Sequence, residues 1–166
     1  MRRVLYIGVV LAILGFVTFV VVPNLLKAMN RSREARTMAD IRAVATAWEA
    51  RANDAGSYTI FPDHFAVGDH DMANFARTGR VTSRDLERAL VPTYVRALPK
   101  RDGWGNEFDF RTGDHDKNRR AQGYAIRSFG SNGRPDATVY DGRMTSTPTV
   151  DIVYVKEAFL SFPEGL

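Results

Sequence analysis

Residues 4–26 read VLYIGVVLAILGFVTFVVVPNLL, and no charge interrupts residues 4–22, a run of 19. Crossing the hydrocarbon layer of a bilayer takes roughly 20 mostly apolar residues in a helix. In lipid only a helix or a closed barrel satisfies its own backbone groups. The stretch therefore predicts a membrane-spanning helix. Arg2 and Arg3 precede it, whereas Lys27, Arg31 and Arg33 follow it. The N-terminal flank is short and a large C-terminal domain translocates readily, so the expected orientation is N-terminus in the cytoplasm and C-terminus outside. A cleaved signal peptide is the alternative reading. Such a peptide has a core of roughly 7–15 apolar residues ending at small residues, whereas this run is longer and ends Val-Val-Val-Pro-Asn-Leu-Leu. Pro23 lacks an amide hydrogen and crowds the preceding turn, so a kink or local loosening is expected there.

Nothing in the sequence breaks the helical pattern between Leu26 and Ala52. Met38, Ile41, Ala45, Trp48 and Ala52 recur at spacings of 3 and 4, which places them on one helical stripe. The prediction is one long helix over residues 4–52, its first half in lipid and its second half packed on a globular body. Asn53-Asp54-Ala55-Gly56 supplies the stop, with Gly56 as a left-handed cap.

Charge divides along the same line. Of 166 residues, 23 are Lys or Arg and 19 are Asp or Glu, for a net charge of +4. The excess sits in the first 52 residues, and the remaining 114 are close to neutral. A nucleic-acid binder concentrates basic charge on its folded body, so no nucleic-acid partner is expected. There is no cysteine, which removes disulfides, thiolate metal sites and cysteine catalysis. About 140 residues beyond the apolar run suffice for one domain with a modest core. The chain thus divides into residues 1–26 (transmembrane), 27–56 (amphipathic spine) and 57–166 (α+β head).

Within the head, residues 57–71 read as a structured loop. Residues 83–89 read as a short helix capped by Ser83. Leu98-Pro99-Lys100-Arg101-Asp102-Gly103 reads as a turn. Residues 107–111, 124–129 and 150–155 read as strands. Ser131-Asn132-Gly133 reads as a tight hairpin turn, and residues 113–120 and 134–148 as polar loops. Strands this short need the long helix as a backing layer.

This plan resembles the type IV pilins, in which a membrane helix continues as an amphipathic spine behind a small antiparallel sheet. Leu98-Pro99 followed by Asp102-Gly103-Trp104-Gly105-Asn106-Glu107-Phe108 resembles a stretch of the major pseudopilins of type II secretion systems. That stretch reads Leu-Pro…Asp-Pro-Trp-Gly-Asn-x-Tyr. Residues 124–133, YAIRSFGSNG, with Asp151-Ile152 beyond them, resemble the same family's Tyr-Asp-Leu-x-Ser-x-Gly-x-Asp-Gly…Asp-Asp-Ile. The resemblance implies a filament subunit in the bacterial inner membrane, with a periplasmic head and with secretion or pilus-assembly proteins as partners. It also implies a calcium site in the last loop. Asn132 stands where the family has Asp, and Val150-Asp151 stands where it has Asp-Asp. The implied ligand set is therefore Asn132, Asp136, Asp141 and Asp151, with solvated loop aspartates as the alternative. In the family a short leader is cleaved after Gly, and a Glu follows inside the apolar run. Here Tyr6 occupies the place of that Glu. This departure favours a second reading, a single-pass protein whose pilin-like head binds or assists assembly without polymerising.

Other chemistry is weaker. His64, Asp69, His70 and Asp71, with Asp114, His115 and Asp116, are residue types that suit zinc or iron. They lack His-x-x-x-His spacing on a helix. No Gly-x-Ser-x-Gly elbow and no phosphate-binding glycine loop occurs. The expectation is a structural protein, not an enzyme.

Overall fold

A computed structural model of the chain describes residues 2–60, 72–115, 120–142, 144–145 and 149–163. A single rod runs from Arg2 to Ala55: α1 (Arg2–Phe16), a π turn (Val17–Val21) and α2 (Val22–Ala55). At 1.5 Å per residue this rod is about 80 Å long. The expected disturbance at Pro23 takes the form of the π turn. The Val22 amide donates to the Val17 carbonyl, five residues back. The wider turn makes room for a proline ring that would otherwise press on the carbonyl four residues before it. Gly56 ends the rod with φ +70°, the left-handed cap read from the sequence, and its amide donates to the Ala52 carbonyl.

Among the described residues six strands follow: β1 (Gly79–Val81), β2 (Asp109–His115), β3 (Ala121–Ser128), β4 (Met144–Thr145), β5 (Ile152–Val155) and β6 (Ala158–Pro163). A short helix, α3 (Ser83–Leu90), lies between β1 and β2. The sheet order is β1-β2-β3-β5-β6-β4. Its first five strands pair antiparallel, and the two-residue β4 joins β6 in parallel. The class is α+β, with one long apolar helix and a small sheet, as expected.

The predicted stripe is the core. Ile41, Ala45 and Trp48 are fully buried, with Met38 and Ala52 nearly so. The Trp48 ring lies 5.1 Å from Tyr124 and 6.4 Å from Phe110, and its indole nitrogen donates to the Tyr58 carbonyl at 3.1 Å. Strand alternation then sorts β3. Tyr124 and Ile126 face the helix, whereas Ala125 packs with Met72, Phe75, Tyr140 and Val153 in a second cluster. Both faces of β3 are covered.

Several local expectations need correction. The cap of α3 is Thr82, not Ser83: Thr82 Oγ1 accepts from the Asp85 amide at 3.2 Å. Residues 113–115 are not loop but the end of β2. Ser131-Asn132-Gly133 is not a hairpin turn. Gly130–Asn132 is a 3-10 turn, and Gly133 at φ +66° leads into the long loop before β5. That loop is not wholly irregular, since it contains β4 and an isolated bridge from Val139 to Asn74. A tight hairpin instead joins β5 to β6 through Lys156 and Glu157, both at positive φ. Most of the predicted 57–71 loop, including His64, Asp69, His70 and Asp71, lies outside the described residues, as does Asp116.

Candidate functional site

Three features of the fold carry functional weight. The first is the apolar end of the rod. Tyr6, Ile7, Leu11, Phe16, Phe19 and Leu25 are all exposed. The helix beginning at Tyr6 is long and apolar enough to cross a membrane, and none of its most apolar window is buried. A soluble helix of this composition would be buried on at least one face. Below Met29 the same rod buries its stripe against the sheet, so one element carries two different faces.

The second feature is the turn at residues 101–107. Asp102 is buried, and its Oδ1 accepts from the amides of Trp104 (3.0 Å) and Asn106 (2.8 Å). Its Oδ2 accepts from Ser128 Oγ at 2.7 Å. One carboxylate thus closes the turn and ties it to the end of β3. Asn106 Nδ2 donates to the Gly130 carbonyl at 2.7 Å, a second tie. The turn also meets the rod. The Gly103 amide donates to Thr37 Oγ1 at 2.8 Å, and Thr37 in turn donates to the Arg33 carbonyl at 2.8 Å. A Cβ on Gly103 would lie 2.4 Å from the Arg33 carbonyl oxygen. Glycine is required here because backbone packs directly on backbone. The Asp-Gly-Trp-Gly-Asn motif therefore clamps head to spine.

The third feature is the closing loop, where the sequence placed Asn132, Asp136, Asp141 and Asp151. Three of the four come together. Asp136 and Asp151 exchange backbone-to-carboxylate hydrogen bonds. The Asp136 amide donates to Asp151 Oδ2 (3.0 Å), and the Asp151 amide donates to Asp136 Oδ2 (2.9 Å). Asn132 Nδ2 donates to Asp136 Oδ1 at 3.0 Å, and Asn132 Oδ1 accepts from the Arg134 amide. Asp141 is exposed. Asp151 is 0% exposed, and the Tyr140 hydroxyl donates to its Oδ2. Burial raises the Asp151 pKa, with further upward pressure from Asp136. Its bonds from Tyr140 and the Asp136 amide, and the charge of Arg127, pull the other way.

The sequence reading missed the centre of this cluster. Arg127 is 5% exposed. Its Nη2 lies 2.6 Å from Asp109 Oδ2, and its Nη1 donates to the Ala137 carbonyl (3.1 Å) and the Tyr140 hydroxyl (3.0 Å). Nη1 is also 4.0 Å from Asp151 Oδ2. The guanidinium is flanked by aromatic faces, with Phe75 at 4.3 Å and Phe129 at 4.9 Å. Burial disfavours its charge, but Tyr140 and Asp109 outweigh that, and the net pKa is raised. Strict alternation along β3 offered the signal: with Tyr124 and Ile126 inward, Arg127 falls on the face that the closing loop covers.

Calcium takes six to eight oxygens. In this loop both Asp136 oxygens and Asp151 Oδ2 already accept from N–H or O–H donors. Only Asp151 Oδ1 is buried without a partner. Among the described residues, no group of three or more His, Cys, Asp or Glu is placed to hold a metal ion. The arrangement fits a hydrogen-bonded lock and does not fit a calcium cage.

Compared with family models, with curated proteins and with solved structures, the chain gives no match. The functional reading therefore rests on the residues and their geometry.

Proposed function

We propose that this chain is a membrane-anchored structural subunit of pilin-like type, similar to the major pseudopilins of type II secretion. In this reading residues 4–26 cross the inner membrane with the N-terminus cytoplasmic, and the head stands in the periplasm. The same apolar segment then packs with further copies of the chain into a short filament that assists protein export. One observation carries the proposal: a single continuous helix is exposed and apolar along its first half and buried in a sheet along its second. An isolated enzyme domain has no use for a rod about 80 Å long, whereas a subunit that stacks by its helix does. The clamp of Gly103 on Arg33 supports it, because a filament transmits force only if each head is fixed to its spine.

A specific observation favours a second reading. Tyr6 is a neutral side chain in the apolar run, and it removes the costly intramembrane carboxylate that a subunit interface would have to pair. A non-polymerising accessory with the same fold would carry this residue at no penalty.

The absence of native cysteine makes the deciding experiment clean. Single cysteines placed along residues 9–20 of the full chain and oxidised in native membranes should give a ladder of self-crosslinks in the filament reading. Crosslinks to other proteins alone would refute it in favour of the accessory. Carbonate washing tests the anchor separately, since release of the chain would refute both.

A further inference from the structure

The disagreement between the calcium set and the closing loop has a positive side. Four carboxylate-bearing or phenolic groups converge on one buried guanidinium. Arg127 holds Asp109 at 2.6 Å and the Tyr140 hydroxyl at 3.0 Å, and it stands 4.0 Å from the fully buried Asp151. Asp136 reaches the same knot through its paired bonds with Asp151. A divalent ion in a loop of this kind would neutralise buried carboxylates and draw two chain segments together. Arg127 does both with its own side chain. It comes from β3, it bonds the Ala137 carbonyl of the closing loop, and it meets Asp109 on β2.

We propose that the guanidinium of Arg127 is the built-in cation of this head, so that residues 136–140 stay tied to β2, β3 and Asp151 without calcium.

The physical case has three parts. Buried carboxylates need a counter-charge or a set of donors, because desolvation of an unpaired charge is costly. Among the described side chains in the knot, Arg127 is the positive group closest to both Asp109 and Asp151; Arg111 and Arg80 approach only Asp109, at 2.9 and 3.8 Å. Secondly, the positive charge is fixed. Arg127 is clamped between Phe75 and Phe129 and bonded to a carbonyl, so its position does not depend on a side chain swinging in from solvent. Thirdly, an arginine bonds in a planar fork that serves several acceptors at once, as here with Asp109, Ala137 and Tyr140. A further cation next to Asp151 would meet this fixed positive charge within a few ångström. Of the four carboxylate oxygens of Asp136 and Asp151, three already accept hydrogen bonds and Asp151 Oδ1 alone has no donor. The lock and the cage therefore compete for the same groups, and the arginine is covalently present at all times.

The test uses the full chain in neutral detergent micelles, which requires neither filament assembly nor a membrane, so its failure and that of the proposed function are distinguishable. Thermal midpoints are measured in excess EGTA and in millimolar calcium. The expected result is the same midpoint within about 1 °C. A calcium-dependent rise of more than about 3 °C overturns the proposal, since saturating binding to the folded state alone must raise the midpoint. In the same buffers Arg127→Gln should lower the midpoint by roughly 6–20 °C, as expected on removing one partner of a buried pair in a domain of this size. An unchanged midpoint overturns the proposal. Should Arg127→Gln fail to fold, Arg127→Lys takes its place. It keeps the charge but loses the fork, and it should melt below the wild type and stay indifferent to calcium. Coupling supplies the last criterion: Asp151→Asn should cost less in the Arg127 variant than in the wild type. Equal cost in the two backgrounds overturns the role of Arg127 as counter-ion.

Discussion

Replacing Gly103 with alanine drives a methyl group into the backbone of the spine. The new Cβ would stand 2.4 Å from the Arg33 carbonyl oxygen and 2.9 Å from the Arg33 carbonyl carbon and Cα. All three are backbone atoms inside a helix, so no side chain can swing away. Ordinary van der Waals contact requires the turn to withdraw by on the order of 1 Å. That movement breaks the 2.8 Å bond from the Gly103 amide to Thr37 Oγ1. Overpacking costs typically 1–3 kcal/mol and the lost hydrogen bond about 1 kcal/mol, so the sum is about 2–4 kcal/mol. For a domain of this length that corresponds to roughly 4–16 °C in melting midpoint. The assay is thermal unfolding of the full chain in detergent, followed by near-ultraviolet dichroism, which reports on Trp48 and Trp104. Thr37→Val provides the partner measurement. It should cost about 1 kcal/mol in the wild type and much less in the Gly103→Ala background, where its bond is already gone. Gly105→Ala serves as control. Gly105 sits at φ +95° with open space around it, so its variant is strained locally but leaves the rod contact intact. A Gly103→Ala chain melting within 1 °C of the wild type, or additive with Thr37→Val, would refute the clamp.

Further outcomes follow from the same structure. Trp48→Ala empties the centre of the helix–sheet interface and should cost about 3–5 kcal/mol, read as loss of the cooperative melt or a lower midpoint. Thr82→Ala removes the cap of α3 and should cost about 1 kcal/mol, measured by denaturant unfolding. Glu34 is 6% exposed and burial raises its pKa above the ordinary 4.5, with Arg31 partly opposing. A carboxyl whose folded pKa is raised contributes stability below its unfolded value and loses that contribution as pH rises through the folded value. Glu34→Gln should therefore gain on the wild type between pH 4 and pH 7 in paired melts; a constant difference across that range would refute the assignment.

The rod was legible in the sequence because both its signals are long. Nineteen uncharged residues and five stripe positions at helical spacing outvote any local exception. The left-handed cap at Gly56 was legible because glycine there has one main use. The missed elements are short or use uncommon chemistry. The β5–β6 hairpin turns on Lys156 and Glu157 at positive φ, where Asn-Gly would have announced it, so β6 went unseen. β1 and β4 span three and two residues, too few for alternation to register. Of the candidate site, Asn132, Asp136 and Asp151 are joined by hydrogen bonds, whereas Asp141 is exposed. Their counter-charge was legible only as far as its face: alternation puts Arg127 on the side of β3 away from the helix, where it reads as a surface residue, and the fold of residues 137–140 over that face makes it internal. The role of Thr37 was hidden for a similar reason. Its partner Gly103 is 66 positions away, and no local pattern links them.

The π turn at Val17–Val21 acts as an indexing notch in the screw of the rod. An α-helix advances about 100° per residue, and the wider turn takes up one extra residue within itself, so the compass bearing of everything beyond it is kept. The bearing of the head around the rod, relative to the greasy surface below, thus survives an added residue because five residues buried in neither absorb it. Deleting one residue from that notch would restore plain α-helix and leave the head nearly where it is, whereas deleting one from the α-helix beyond it would swivel the head through about 100° and lower it by about 1.5 Å.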